Sequence, residues 1–102
     1  MSQATIFTEI EGEFVGISVT DFKDDLYDLL VDFYSTYDEA VTLIESGSAS
    51  YLHTTLEESD FIDDGFGNVD ILSAEDYDEF LYRYTETFTF FFDPEQEEWV
   101  QC

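Results

Sequence analysis

The chain has 102 residues, of which 44% are hydrophobic and 19% are aromatic. This content is too apolar for a disordered acidic tail, and the length suffices for one core but not for two, so we expect a single folded domain over residues 1–102. The 26 acidic residues against 2 Lys and Arg give a formal net charge of −24, which opposes compaction by self-repulsion.

The first part of the chain predicts a β-hairpin followed by a helix. Residues 5–19 are rich in β-branched and aromatic side chains, and residues 11–13 interrupt them with a Gly between two Glu, which indicates two strands and a tight turn. From Asp21 to about Tyr34 the apolar period becomes helical, and Thr20 or Asp21 can cap the helix start. The apolar stripe of this helix comprises Phe22, Leu26, Leu29, Leu30, Phe33 and Tyr37.

Two further helices and a second pair of strands are predicted downstream. The stretch TYDE at residues 36–39 has the spacing of a capping box, which predicts a short helix that stops at Gly47. Residues 51–71 have a weaker pattern that fits a strand or an irregular turn and then an acidic loop. Residues 73–76 have the features of another helix start, and the C-terminal end predicts a strand, a turn at residues 93–96 and a last short strand.

In chain order these elements are two strands, two helices, an ambiguous region, one helix and two strands. This order predicts an α+β domain with an antiparallel sheet of about four strands and two or three helices on one face. The sequence contains no internal repeat and no sign of a second domain.

The residues that catalysis requires are scarce. One His, one Lys and one Arg leave little for activating a nucleophile or stabilising an oxyanion, so we expect no enzymatic activity. His53 has no Cys or His near it in the sequence and is interpreted as a structural or surface residue. A carboxylate pair of the glycosidase kind cannot be singled out among 26 acidic residues.

The stretch SDFIDDGFGNVDIL, which starts at Ser59, invites comparison with a calcium-binding loop. Aligning Gly65 with the glycine of such a loop places Ile62 at ligand position 3 and Ile71 where a bidentate Glu is needed. A turn rich in Asp and Gly accounts for the segment better. We therefore expect neither a metal site nor a cofactor.

Acidic residues populate every region of the chain, whereas solubility needs a net charge of magnitude about 2 to 8. Carboxylates three or four residues apart on a helix are separated by about 4.5 to 6 Å along its axis, within the range of a phosphate backbone. A domain of this length has an expected diameter of about 33 Å, over which B-DNA carries about 19 phosphates. We expect this surface to imitate nucleic acid and to bind a partner through Asp21, Asp24, Asp25, Asp28, Asp32, Asp38, Glu39, Glu57, Glu58, Asp60, Asp63, Asp64, Glu75, Asp76 and Glu79.

In charge, in size and in the alternation of acidic with aromatic residues, the whole chain resembles the small acidic DNA-mimic proteins of phages and plasmids, the antirestriction and anti-CRISPR inhibitors. The resemblance implies a stoichiometric inhibitor that occupies the DNA-binding channel of a restriction or CRISPR enzyme. The implied partner is a DNA- or RNA-binding protein with a basic channel. Because DNA-mimic proteins are diverse in fold, the resemblance assigns no functional residue.

Two other classes of protein carry similar charge. An immunity protein or antitoxin masks the basic active site of a nuclease toxin with the same electrostatics. A salt-adapted binding domain also favours acidic residues, although 11 Phe and 7 Tyr add little to salt adaptation. Charge of this sign is repelled by anionic lipid, and we expect no direct binding to nucleic acid.

The sequence also bears on the cellular location. Cys102 is the only cysteine, so an intramolecular disulfide is excluded. The N-terminus lacks the basic and long apolar regions of a signal peptide, and no apolar run approaches the roughly 20 residues of a membrane span. We expect a soluble protein in the cytoplasm, that of the host cell if a phage encodes it. The charge pattern leaves monomer and homodimer open.

Overall fold

The computed structural model describes residues 3–22, 26–55, 57–61, 71–84 and 88–102. These residues form seven strands and three helices, which confirms the α+β class. The elements in chain order are β1 (Ala4–Ile10), β2 (Glu13–Val19), α1 (Leu26–Phe33), α2 (Tyr37–Glu45), β3 (Ala49–Tyr51), β4 (Asp60–Phe61), β5 (Leu72–Ala74), α3 (Tyr77–Tyr84), β6 (Phe88–Asp93) and β7 (Glu98–Gln101).

The N-terminal hairpin forms as the sequence predicts. Strands β1 and β2 pair antiparallel along their full lengths. Only Glu11 and Gly12 lie between them, at φ values of 51° and 84°. A two-residue turn with positive φ at both positions matches the twist of the flanking strands, and glycine adopts that conformation without steric cost.

The prediction of an antiparallel sheet with about four strands is wrong, because the sheet is larger and mixed. Its strand order is β4-β3-β2-β1-β6-β7, and β5 also pairs with β2. The central strand β1 pairs parallel with β6, from Ala4 opposite Phe88 to Thr8 opposite Phe92. Strands β2 and β3 are parallel as well. Parallel neighbours need a long crossover connection, and the chain between β1 and β6 supplies it with all three helices.

Helices cover both faces of the sheet, so the expectation of helices on one face is also wrong. Successive residues of β1 point to opposite faces: Ile6 joins the core under α1 and α2, whereas Phe7 joins the core under α3. We call these the two-helix face and the one-helix face. Buried on the two-helix face are Ala4, Ile6, Ile17, Val19, Leu26, Leu29, Leu30, Tyr34, Ala40, Leu43, Ile44, Ala49, Leu52, Phe90, Phe92 and Trp99. The core of the one-helix face comprises Phe7, Ala74 and Phe80, packed against Phe14, Leu72, Tyr77, Leu81, Tyr84 and Phe91.

A glycine permits close packing on the one-helix face. Gly16 lies opposite Phe7, whose ring stacks on Phe80 of α3 with 4.1 Å between centroids and 13° between planes. A Cβ atom at position 16 would lie 2.5 Å from the carbonyl oxygen of Ile6 and 2.7 Å from Cζ of Phe80. The stack therefore requires a residue without a side chain at this position.

Helix α2 starts with the predicted capping box. The Glu39 N–H donates to Thr36 Oγ1 at 3.2 Å, and the Thr36 N–H donates to Glu39 Oε1 at 3.3 Å. The helix ends before Gly47, whose φ is 93°, as the sequence predicts. The corner between α1 and α2 is tied to the sheet by Trp99, whose Nε1 donates to the carbonyl oxygen of Tyr34 at 2.8 Å.

Helix α1 departs from its predicted start at residue 21. Phe22 forms a parallel bridge with Leu52, and the Leu52 N–H donates to the carbonyl oxygen of Asp21 at 2.9 Å, so this segment is extended. Residues 23–25 lie outside the described residues. The stripe members Leu26, Leu29 and Leu30 are buried as predicted, but Phe33 is 48% exposed.

The C-terminal half contains one misplaced element and one confirmed pair. Residues 73 and 74, predicted to start a helix, belong to β5 and pair with β2, so α3 begins at Tyr77. The strand, turn and strand predicted at the C-terminal end are confirmed as β6, residues 94–97 and β7. Asp93 fixes this turn, because its Oδ1 accepts the N–H of Glu95 at 2.9 Å.

Candidate acidic interaction surface

The acidic side chains of the described residues all lie at the surface, since no Asp or Glu belongs to the buried class there. Opposite charge is scarce. Arg83 Nη2 lies 2.8 Å from Glu79 Oε1, and His53 Nδ1 lies 3.4 Å from Glu58 Oε2, a pair that is ionic only when the imidazole is protonated. Within the described part of the chain these are the ion pairs, and Lys23 lies outside it. The carboxylates are therefore largely unneutralised by the protein itself.

The charge is dense in relation to the size of the molecule. The principal extents are 30 × 29 × 26 Å. Over 30 Å, B-DNA carries about 18 phosphate charges, whereas the chain carries a formal net charge of −24. Per unit length the protein thus equals or exceeds duplex DNA in negative charge.

Of the five aspartates predicted to share one face of the first helix, the structure describes three, and only two of these three lie on the helix. Asp28 and Asp32 lie on α1, four residues apart, and both are exposed. Asp21 is not on that helix, because it belongs to the extended segment that contacts Leu52. Asp24 and Asp25 lie outside the described residues. Next to the two helical carboxylates the outer side of α1 exposes apolar side chains: Tyr27 at 40%, Val31 at 40% and Phe33 at 48%.

The two acidic residues predicted on the second helix lie in its first turn. Asp38 and Glu39 are exposed there, where a helix favours negative charge. A third carboxylate joins them from the β6–β7 turn, since Glu97 Oε2 accepts the N–H of Tyr37 at 3.4 Å. Sequence reasoning missed Glu97 as part of this group, because no local pattern links residues 60 positions apart. These carboxylates have a structural role in addition to their charge.

The acidic residues near His53 lie in a turn and in a short strand. Glu57 and Glu58 occupy the turn, where the Glu58 N–H donates to Thr55 Oγ1 at 3.3 Å, and Asp60 begins β4. Asp63 and Asp64 lie outside the described residues, as does most of the stretch compared with a calcium loop. Among the described residues, no three His, Cys, Asp or Glu side chains come together in a way that could hold a metal ion.

The acidic residues near α3 lie on the opposite side of the sheet from α1 and α2. Glu75, Asp76 and Glu79 surround the start of α3, and the Glu75 N–H donates to Glu79 Oε2 at 3.2 Å. An open cleft of about 370 Å³ is lined there by Glu13, Ser73, Ala74, Glu75, Glu79 and Arg83. The predicted acidic residues near α3 and those on α1 and α2 therefore lie on opposite sides of the sheet and do not form one patch. A flat partner surface can contact only one of these two sides at a time.

A second cleft, of about 330 Å³, lies on the two-helix face and is mainly apolar. The described residues that line it are Phe33, Tyr34, Glu39, Thr42, Thr54 and Thr55. Tyr34 is buried and its hydroxyl donates to the carbonyl oxygen of His53 at 3.0 Å. Burial raises the pKa of Tyr34, the Ser59 side chain opposes that shift, and the negative charge of Glu39 adds to it. Sequence reasoning missed this cleft, because its walls come from three separate segments.

One further pair of side chains has altered chemistry. The Tyr77 hydroxyl lies 3.3 Å from Cys102 Sγ. This hydrogen bond, together with burial and nearby negative charge, raises the pKa of Tyr77 to about 12. The phenol therefore keeps its proton under physiological conditions.

Comparisons with protein-family models, with curated proteins and with solved structures find no match for this chain. None of the helices described is long and apolar enough to cross a membrane. Function is therefore inferred from the charge, the exposed apolar residues and the clefts.

Proposed function

We propose that the protein is a DNA-mimic inhibitor, which occupies the basic nucleic-acid-binding surface of a host defence enzyme such as a restriction or CRISPR nuclease. It acts stoichiometrically and without catalytic turnover. The observation that carries this proposal is the charge of −24 within a molecule 30 Å across, with every described carboxylate at the surface.

The scarcity of internal ion pairs supports this proposal. A surface that served only solubility would have both signs of charge interspersed. Here Arg83 is the only described Lys or Arg, and it pairs with Glu79. Most of the other described carboxylates have no ion-pair partner among the described residues and can contact the Lys and Arg side chains with which an enzyme normally holds phosphates.

The exposed apolar side chains on α1 support binding to a protein rather than to water alone. Tyr27 and Val31 lie next to Asp28 and Asp32, so apolar area and charge occur on the same helix surface. Protein interfaces combine a desolvated apolar centre with charged groups that steer association. A purely solvating surface gains nothing from such residues.

The aromatic content, by contrast, does not separate mimicry from salt adaptation. Most of the described Phe side chains are buried or packed in the two cores, where their role is to fill the sheet faces. The high Phe count is therefore a property of the fold. Circular dichroism in dilute buffer separates the two functions: a DNA mimic is folded without molar salt, whereas a salt-adapted domain folds only near molar potassium chloride.

An immunity protein that masks a nuclease toxin is the second candidate. The same apolar residues on α1 favour it, because a dedicated inhibitor of one toxin relies on a few well-packed contacts for specificity. The two functions differ in the partner. A mimic competes with nucleic acid for a defence enzyme, whereas an immunity protein binds a toxin encoded beside it.

The test is capture from a bacterial lysate on the immobilised protein, followed by elution with duplex DNA and, separately, with salt. We expect a nucleic-acid enzyme to elute with duplex DNA at low salt. Elution of a co-encoded toxin would favour the immunity function. Recovery of nothing that DNA displaces would reject mimicry.

A further inference from the structure

We propose that the cleft lined by Phe33, Tyr34, Glu39, Thr42, Thr54 and Thr55 receives an arginine side chain of the partner protein. This inference deepens the proposed function and rests on it, since it assumes that the partner presents a basic surface. We call this cleft the Phe33 cleft. An arginine bound there adds one specific contact to the diffuse negative charge and the exposed apolar side chains of α1.

The apolar part of the cleft fits the stem and the plane of a guanidinium group. Phe33 is 48% exposed at the end of α1, although its spacing predicts a buried position. The following residue, Tyr34, takes the buried place and forms part of the cleft wall. An exposed aromatic ring beside a concave wall offers a face on which a guanidinium stacks.

The charged part of the cleft is one carboxylate held in a fixed position. Glu39 Oε1 accepts from both the N–H and the Oγ1 of Thr36, at 3.3 and 3.0 Å. The other oxygen, Oε2, has no hydrogen-bond partner among the described residues. A carboxylate already oriented by a capping box loses little conformational entropy when it accepts a hydrogen bond from a ligand.

The remaining polar groups of the wall are mostly engaged elsewhere. Thr42 Oγ1 donates to the carbonyl oxygen of Asp38 at 2.8 Å, and Thr55 Oγ1 accepts the N–H of Glu58 at 3.3 Å. The Tyr34 hydroxyl donates to His53. The cleft therefore offers an aromatic face, an apolar wall and one carboxylate oxygen without a partner among the described residues, which suits a cation with a flat delocalised head better than an anion or a neutral polar group.

The occupant is assigned from charge complementarity. A second copy of this chain, at a net charge of −24, would be repelled, whereas a nucleic-acid-binding protein carries Arg in its channel. Lysine meets the charge requirement but stacks less well on an aromatic ring. Arginine is thus the predicted occupant, and the comparison with lysine is part of the test.

The test is an NMR titration of the isotope-labelled protein with a tri-arginine peptide and, separately, with a tri-lysine peptide at constant ionic strength. We expect saturable shifts at the Phe33 ring and at the amides of Thr54 and Thr55, with affinity for tri-arginine about threefold higher than for tri-lysine. Phe33→Ala and Glu39→Gln should each weaken tri-arginine binding about threefold.

Matched controls shorten an apolar side chain and remove a negative charge outside the cleft. Val31→Ala shortens another half-exposed apolar residue of α1, and Glu45→Gln removes one charge from the end of α2. Both should change tri-arginine affinity by less than about 1.5-fold, the low end of what an exposed ion pair contributes. Equal shifts with both peptides, spread over all acidic regions, would overturn the proposal. So would unchanged affinity in a Phe33→Ala variant that remains folded by circular dichroism.

Failure of the arginine proposal for the Phe33 cleft is distinguishable from failure of the proposed function. If duplex DNA displaces the captured enzyme but Phe33→Ala leaves peptide and enzyme binding unchanged, the Phe33 cleft is rejected and mimicry stands. If tri-arginine binds in the cleft as expected but no captured enzyme is displaced by DNA, the cleft stands and mimicry is rejected.

Discussion

The two faces of the sheet are covered with different amounts of helix, and the residues that fill them differ accordingly. On the two-helix face, most of the buried side chains are Ala, Val, Leu and Ile. On the one-helix face, α3 with its eight residues is the helix that the described part of the chain places over the sheet, and Phe or Tyr rings make up most of the cluster. Because an aromatic side chain buries about 150–250 Å², a few rings can replace the area that a second helix would supply.

The comparison also concerns the surface. The two-helix face places exposed Tyr27, Val31 and Phe33 near carboxylates, whereas the one-helix face has Arg83 paired with Glu79. Negatively charged side chains lie on both faces. Tyr82 of α3 is also exposed, at 92%, so exposed aromatic area occurs on both faces, but the mainly apolar cleft lies on the two-helix face, and we expect the partner to bind there.

The largest expected effect tests whether the aromatic rings of the one-helix face stabilise the fold. Phe80→Ala removes the fully buried ring that stacks on Phe7, and should lower the free energy of unfolding by about 4 kcal/mol. Leu30→Ala on the two-helix face is the matched change and should cost about 3 kcal/mol. Urea denaturation measures both. A smaller loss for Phe80→Ala than for Leu30→Ala would show that the ring cluster is not the main support of its face.

The next effect concerns the closeness of that packing. Gly16→Ala places a methyl group 2.5 Å from the Ile6 carbonyl oxygen, which the strand cannot accommodate without moving. We expect a loss of about 2 kcal/mol in the free energy of unfolding, as for other overpacked sites. Gly12→Ala is a useful contrast, because nothing lies within 4 Å of its Cβ position and its cost comes from the positive φ alone. Equal stability of Gly16→Ala and wild type would mean that the Cβ position of residue 16 is less crowded by β1 and by Phe80 than described.

The third prediction separates the acidic groups of the two faces. Asp28→Asn with Asp32→Asn removes two charges from α1 and relieves their repulsion, so stability should be unchanged or slightly higher. Affinity for the partner should fall by about 1 kcal/mol for each contact that is buried. The control removes two charges near α3, by Glu75→Gln with Asp78→Asn, and should weaken binding less. A larger loss in the control would move the interface to the one-helix face.

The smallest effect is a pH dependence on the one-helix face. The pKa of Tyr77 is raised from 10.0 to about 12 by its hydrogen bond to Cys102, by burial and by nearby negative charge, so the folded state binds this proton more tightly than the unfolded state. The resulting stabilisation is complete below pH 10 and is lost as the pH rises from 10 towards 12.

Thermal unfolding between pH 9 and 12 measures this contribution. Tyr77→Phe should make the fall in melting temperature between about pH 10 and 12 less steep than in the wild type. Tyr82→Phe is the control, because Tyr82 is 92% exposed on the same helix. An unchanged pH profile for Tyr77→Phe would contradict the described contact with Cys102.

Local features of the fold were predictable from the sequence, because their causes lie within a few residues. The Glu11–Gly12 turn and the capping box at Thr36 and Glu39 are both of this kind. The burial of Leu26, Leu29 and Leu30 also follows from spacing alone.

Features that depend on distant residues were not predictable. Any apolar strand could have paired with β1, and nothing local indicates that Ala4 lies beside Phe88. Three-residue strands such as β5 are too short for a period to be recognised. Phe33 fits the apolar stripe, yet the chain leaves the helix there and Tyr34 occupies the buried position. The Phe33 cleft forms because Phe33 is exposed and Tyr34 is buried, and the helical spacing predicts the opposite for Phe33.

Competition for the captured enzyme between this protein and a fluorescently labelled 30-base-pair duplex, measured by anisotropy, tests the central claim most directly. If the acidic surface stands in for phosphates, unlabelled protein should displace the duplex completely at one protein per enzyme site. The affinity of the protein should also fall with added salt, as protein–DNA affinity does. Simultaneous binding of duplex and protein, with neither displacing the other, would contradict mimicry at the DNA channel and place the contact elsewhere on the enzyme.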